Sequence, residues 1–157
     1  MRAIYIGLWN TYRGPFSEPH KRLILRAANL CEAFSLNLAT FGFGKRLKDI
    51  TGRTTIGKGG ITAFLKSNKF YEFEKIMFPP QLGKVIATTK NGKPHDISEI
   101  RSWAESEPLT FLFGAGPNGL PITVIDRCSD NWDLSGKNYS LETATALGVL
   151  CGKISGI

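Results

Sequence analysis

Cysteine is scarce in this chain and badly spaced for any covalent or metal framework. Cys31, Cys128 and Cys151 are odd in number and far apart, and no C-x-x-C pair occurs. That pattern supports neither a disulfide scaffold nor a zinc site. His20, isolated in its segment, is no metal ligand on this pattern, and no metal site is expected. Long apolar runs are missing as well: nothing approaches the roughly 20 residues that a membrane-spanning helix needs. The strand-like Ala3-Ile4-Tyr5-Ile6 stands where a secretory leader would carry its apolar region, so the chain reads as cytoplasmic and reduced. Internal repeats and low-complexity tracts are absent too. Acidic residues are outnumbered, 13 against 20 Lys and Arg, which leaves a net charge of +7 and a pI near 9.5. That balance suits a polyanion partner such as RNA without proving one.

What is present is ordinary for a globular protein. Hydrophobic residues make up 42% and charged residues 21%. A length of 157 residues predicts one domain, 1–157, large enough to bury a real core.

From the start, Ala3 to Leu8 predicts a central strand. Trp9 to Pro15 reads as the loop after it, which makes Arg13 a candidate site residue; a solvated loop arginine is the plain alternative. A helix is predicted from Pro19 to Phe34, with Leu23, Ala27, Leu30, Cys31 and Phe34 on its core face. His20, Lys21, Arg22 and Arg26 read as a solvated face, or more sharply as phosphate contacts. Leu36 to Phe43 predicts a second strand, and the βαβ pattern implies a parallel sheet.

The segment from Lys45 to Gly60 is the most basic in the chain, with Lys45, Arg46, Lys48, Arg53 and Lys58. Gly52 to Gly59 nearly matches a P-loop, but Gly59 stands where a Ser or Thr must hold magnesium, and no apolar strand precedes it. A basic, glycine-rich loop that wraps a phosphate backbone is a better reading than a P-loop, with a merely flexible surface loop as its equal alternative. Ile61 to Lys66 and Phe70 to Phe78 look helical, with Phe64, Phe70, Phe73 and Phe78 as core residues. Lys84 to Thr89 is a third strand, Lys90 to Lys93 a turn out of it, and Ile97 to Glu105 a short helix capped by Ser98.

The last third is the informative part. The apolar run Pro108 to Phe113 empties into Gly114-Ala115-Gly116-Pro117-Asn118-Gly119, which matches G-x-G-x-x-G. Pro117 removes a donor, and Leu120 to Ile125 reads as a turn and a strand rather than the helix a dinucleotide site requires, so NAD binding is rejected as the main reading. Glycine still permits close backbone approach to a ligand. A polar stretch from Asp126 to Asn138 leads into a final helix that starts about Tyr139 and runs to Ile154, with Ser140 as N-cap and Glu142 in the first turn. Ala144, Gly148 and Cys151 form a stripe of small residues there, suited to close packing on the chain's own sheet or a second subunit.

Phe111 to Pro121, followed by Leu134 to Leu150, resembles the C-terminal signature of the SPOUT, or α/β-knot, RNA methyltransferases. The chain also resembles a small archaeal family of unknown function placed near them. The resemblance implies an α/β fold, a mostly parallel sheet with helices on both faces and a C-terminal trefoil knot over about 108–157. It implies a homodimer through the knot region, with S-adenosyl-L-methionine as cofactor and a tRNA or rRNA base or ribose as acceptor. Carried onto this sequence, the cofactor-binding residues are Thr88, Thr89, Gly114, Ala115, Gly116, Gly119, Leu134, Ser135, Tyr139, Ser140 and Leu141. Arg13 and Glu142 are the catalytic candidates, and Arg22, Arg26, Lys45, Arg46, Arg53 and Lys58 the RNA contacts. The ribose-methylating branch carries a Glu in the glycine loop and Ser-x-Asn before the last helix; here Gly116 stands near the first and Ser140-Leu141-Glu142 replaces the second. A knotted RNA-binding module without chemistry and a nucleotide-binding enzyme are the rival readings.

Overall fold

The computed structural model describes residues 2–14, 17–44 and 60–157. Six strands form one sheet, and every described strand pair is parallel. The strands are β1 (Ile4–Asn10), β2 (Asn37–Phe41), β3 (Phe70–Phe73), β4 (Lys84–Lys93), β5 (Leu109–Ala115) and β6 (Asp130–Trp132), in the order β3-β2-β1-β5-β4-β6. The helices are α1 (Glu18–Phe34), α2 (Gly60–Leu65), α3 (Ile97–Ser106), α4 (Ile122–Ile125) and α5 (Thr143–Ile154).

Alternation along the strands builds two cores. Ile4, Ile6 and Leu8 of β1 and Leu109, Phe111 and Phe113 of β5 face one side, where Ile24 of α1, Ile100 of α3 and Leu147 and Leu150 of α5 meet them. Tyr5, Trp9 and Leu112 face the other side, with Leu120 and Val124 of the α4 region and Leu82. Helices thus lie on both faces, but unequally. Right-handed crossovers explain why. The steps β1 to β2, β2 to β3 and β4 to β5 run in one direction across the sheet, so α1, α2 and α3 fall on one face. The step β5 to β6 runs back, so α4 falls on the other.

Several sequence expectations need correction. Phe70 to Phe78 is not helical: Phe70–Phe73 is the edge strand β3, where alternating aromatics serve both cores. Ile122–Ile125 is one helical turn, not a strand, because Pro121 O accepts from the N–H groups of Val124 and Ile125. Four apolar residues cannot separate those two states by pattern. Lys90 to Lys93 continues β4 through a register shift instead of turning out. The polar 126–138 stretch hides β6, whose Asp-Asn-Trp composition carries no strand signal. Asp96, not Ser98, precedes α3. The last helix begins at Thr143, and Glu142 rather than Ser140 is its N-cap.

His20 is buried, not solvated. Its Nδ1 accepts the Ser17 N–H at 2.9 Å, and its ring packs edge-on against Tyr12 and Phe43. Burial lowers its pKa despite that bond. Phe34, assigned to the core face, is 40% exposed. A Cβ added at Gly148 would meet nothing within 4 Å among the described residues, so packing on the described sheet does not explain that glycine. Cys31, Cys128 and Cys151 are free thiols, and burial pushes the last two up to about 11. No described helix is long and apolar enough to cross a membrane.

Candidate active site

Two adjoining cavities open where the carboxyl ends of β4 and β5 meet the start of α5. The first holds about 350 Å³ and is walled by three segments far apart in the chain: Thr88 to Asn91, Phe113 to Leu120, and Asp133 to Ala146. Crevices at the carboxyl ends of parallel strands are where α/β sheets hold ligands, and this volume lies within the small-molecule range.

Each wall has a local cause. The Thr88 hydroxyl donates to Leu112 O at 2.8 Å, and the Thr89 hydroxyl to Asn131 Oδ1 at 2.9 Å, which holds the end of β4 between its neighbours. The glycine loop folds back on itself: a Cβ on Gly114 would stand 2.5 Å from the Gly119 carbonyl carbon. Gly119 has φ +65°, a left-handed conformation that glycine accepts without strain. Gly116 packs so closely on Thr11 that a Cβ there would collide with the threonine hydroxyl.

The third wall is organised by Asp133, which is 3% exposed. Its carboxylate accepts from Ser135 N at 3.0 Å, Ser135 Oγ at 2.7 Å and Asn138 N at 2.8 Å. Ser135 Oγ in turn accepts from the N–H groups of Lys137 and Tyr139, each at 3.1 Å. Desolvation pushes the Asp133 carboxyl up, but the Ser135 side chain and the backbone N–H groups of Asn138, Ser135 and Gly136 together outweigh it and hold it below the ordinary range.

The second cavity, about 540 Å³, lies on the α1 side of the glycine loop. Tyr12, Arg22, Arg26, Gly116 and Glu142 line it. Pro117, Gly119, Ser140, Leu141 and Thr143 line both cavities and form the partition.

Of the residues singled out in the sequence, Thr88, Thr89, Gly114, Gly119, Leu134, Ser135, Tyr139, Ser140 and Leu141 meet at the first cavity. Gly116 faces the second instead, and Ala115 is buried behind the loop without lining either. Arg22, Arg26 and Glu142 come together at the second. Arg13 is exposed and lines neither. Lys45, Arg46, Arg53 and Lys58, with the P-loop-like Gly52 to Gly59, lie outside the described residues. Sequence reading missed Lys90, Asp133 and Thr143, each next to a residue it did name, and Ala146 one turn further into α5; only the fold turns them inward. No group of three His, Cys, Asp or Glu side chains among the described residues could hold a metal.

The family described as protein of unknown function (DUF531) matches residues 4–155. The uncharacterized protein MJ0224 of Methanocaldococcus jannaschii is 34% identical, over 94% of this chain and 90% of its own. Among solved structures, a probable methyltransferase from Bordetella pertussis Tohama I superposes with a TM-score of 0.72 at 16% identity, covering 98% of this chain and 95% of that one. A structure concerned with the 2-OH methylation of C/U34 on tRNA gives a TM-score of 0.64 at 17% identity, covering 98% and 89%. At such identities the likeness shows the fold alone, the α/β parallel sheet with helices on both faces that was expected from the sequence.

Proposed function

The chain belongs to the DUF531 family, and we propose that it is an S-adenosylmethionine-dependent RNA methyltransferase acting on a tRNA or rRNA base or ribose. A methyltransferase-like fold is common ground with its structural neighbours. The observation that carries the finer reading is the convergence of three distant loops, at 88–91, 113–120 and 133–146, on one cavity beside a second, basic one.

The first cavity fits the cofactor by its chemistry. Its wall is mostly hydroxyls, backbone and apolar side chains such as Leu134 and Ile125, which suits an uncharged adenosine. Thr88, Thr89, Gly114, Gly119, Leu134, Ser135, Tyr139, Ser140 and Leu141 would hold it. When bound, S-adenosylmethionine supplies an electrophilic methyl group.

The chain's own residues supply position and proton handling. The shared partition places anything held in one cavity next to anything held in the other, and such positioning is a large share of the catalysis a displacement needs. Arg22 and Arg26, four residues apart on α1, present guanidinium groups to acceptor phosphates. Glu142 is the carboxylate in the second cavity that can take the acceptor's proton. Arg13, on the exposed loop after β1, is a candidate for orienting RNA from outside the cavities. The trefoil knot over 108–157 and the homodimer through it belong to the same proposal.

Calorimetric titration with S-adenosylhomocysteine tests this reading. Ser140 is exposed and borders both cavities, so Ser140→Trp fills them without disturbing the core. The expected result is a dissociation constant on the order of micromolar for the wild type, about −8 kcal/mol, and none measurable for the variant. A folded wild type that binds no S-adenosylhomocysteine overturns it. One observation favours a knotted RNA-binding protein without chemistry: the Glu142 carboxylate is already engaged as a helix cap. Strongly salt-dependent RNA binding without cofactor binding supports that reading, and ATP or NAD bound in preference supports a nucleotide-binding enzyme.

A further inference from the structure

We propose that Lys90 recognises the anionic end of the ligand held in the first cavity, and so sets a preference for an adenosine that carries a carboxylate over one that does not. The inference rests on the reading of that cavity as a cofactor site. Two charged side chains line it, Lys90 and Asp133. The Asp133 carboxylate is consumed within its own loop, where Ser135 and Asn138 donate to it. Lys90 has no ion pair among the described residues and is exposed at the cavity's edge. Among the described residues, an incoming ligand therefore meets one positive charge that no carboxylate pairs with and no free negative one.

The backbone under Lys90 is held in place. Thr88 and Thr89, directly before it, are bonded to Leu112 and Asn131. Gly92, two residues after it, lies so close to β6 that a Cβ there would stand 2.5 Å from the Asn131 carbonyl oxygen. The register shift of β4 between Thr88 and Lys93 carries Lys90 out of regular pairing and to the cavity. A flexible side chain on a fixed anchor is a good arrangement for meeting a carboxylate at the mouth of an otherwise uncharged pocket.

The test compares S-adenosylhomocysteine with 5′-methylthioadenosine, which shares the adenosine and the sulfur but lacks both the carboxylate and the ammonium. Both are titrated calorimetrically into wild type, Lys90→Gln and Lys93→Gln; Lys93 is exposed and does not line the cavity. Lys90→Gln is expected to weaken S-adenosylhomocysteine about three- to tenfold and to leave 5′-methylthioadenosine unchanged, while Lys93→Gln changes neither. The wild type's preference for S-adenosylhomocysteine should also shrink as salt is raised. Equal binding of both ligands by Lys90→Gln and wild type overturns the inference and leaves the cofactor site standing. A wild type that binds neither ligand removes the site reading, and the inference with it.

Discussion

The hydroxyl of Thr143 donates to the carbonyl oxygen of Gly114 at 2.9 Å. That bond ties the first turn of α5 to the glycine loop at the end of β5, and both residues line the first cavity. Replacing Thr143 with Val keeps the shape and removes the donor, leaving a part-buried carbonyl unsatisfied. The expected cost is about 1–3 kcal/mol of stability. Thermal melting reads the first effect and titration with S-adenosylhomocysteine the second: affinity should fall, because the two walls are no longer fixed to each other. An unchanged affinity would show that the loops hold their places without this bond.

Asp133 predicts how the third wall responds to acid. Its folded pKa lies below the ordinary 3.8, so its hydrogen bonds stabilise the loop at any pH above that value. The contribution is lost as pH falls from 3.8 through the folded value, where protonation removes an acceptor. Amide exchange at Ser135 and Asn138 should therefore stay slow at pH 5 and rise below the ordinary value. Asp133→Asn should show fast exchange at those amides across the whole range. Slow exchange in the variant would mean that the loop does not depend on the carboxylate.

The two halves of the chain were not equally readable. The buried strands β1, β2 and β5 were legible because Ile6, Leu38 and Phe111 sit in largely apolar runs, as parallel strands covered on both faces tend to. The small edge elements were not. β6 exists because the backbone of Asp130–Trp132 pairs with Ile86–Thr88, and nothing in three polar and aromatic residues announces that. α4 is a single turn whose four apolar residues fit a strand equally well. His20 misled for a related reason: a histidine in a run of basic residues reads as surface, but Tyr12 and Phe43 come from other elements to cover it.

The candidate site was legible where motif residues lie on the loops themselves, as Gly114, Gly119 and Ser140 do. Roles were not. The position of Arg13 after β1 drew attention, yet Arg22 and Arg26 on α1 are the arginines that line the second cavity. Which arginine turns inward depends on how α1 is rotated against the sheet, and that is set by Ile24, Ala27 and Ala28 packing beneath it.

RNA binding should separate these arginines. The double variant Arg22→Gln, Arg26→Gln is expected to lower the slope of log affinity against log salt by roughly two, one for each lost phosphate contact. Filter binding over a range of salt concentrations measures it. Arg13→Ala is expected to leave S-adenosylhomocysteine affinity intact and to abolish methyl transfer if that residue orients the acceptor. Unchanged transfer would remove Arg13 from the site and leave Arg22 and Arg26.

Gly148 and Gly152 stand on the exposed side of α5, and a Cβ at either would meet nothing within 4 Å among the described residues. Within a helix each costs about 1 kcal/mol relative to alanine, a cost the single chain does not explain. A second copy packed on α5 would explain it. Wild type should then sediment as a dimer and Gly148→Arg as a monomer, since an arginine there keeps the helices apart. A dimeric Gly148→Arg would place the subunit contact elsewhere or leave the glycines without a packing cause.

Glu142 poses a choice between structure and chemistry. Its Oε2 accepts from Thr145 Oγ1 at 3.2 Å and from Thr145 N at 3.4 Å, which makes it the N-cap of α5. The same residue lines the second cavity. Glu142→Gln separates the roles, because the amide oxygen can still accept from Thr145 but the side chain can no longer take a proton. If Glu142 only caps the helix, the Gln variant should transfer methyl groups like the wild type, and Glu142→Ala should lose about 0.5–1 kcal/mol of stability. If it is the base, the Gln variant should melt like the wild type and bind S-adenosylhomocysteine equally well, while transfer falls about a hundredfold or more. The second outcome is expected, since a carboxylate that served the helix alone would not need to line the same cavity as Arg22 and Arg26.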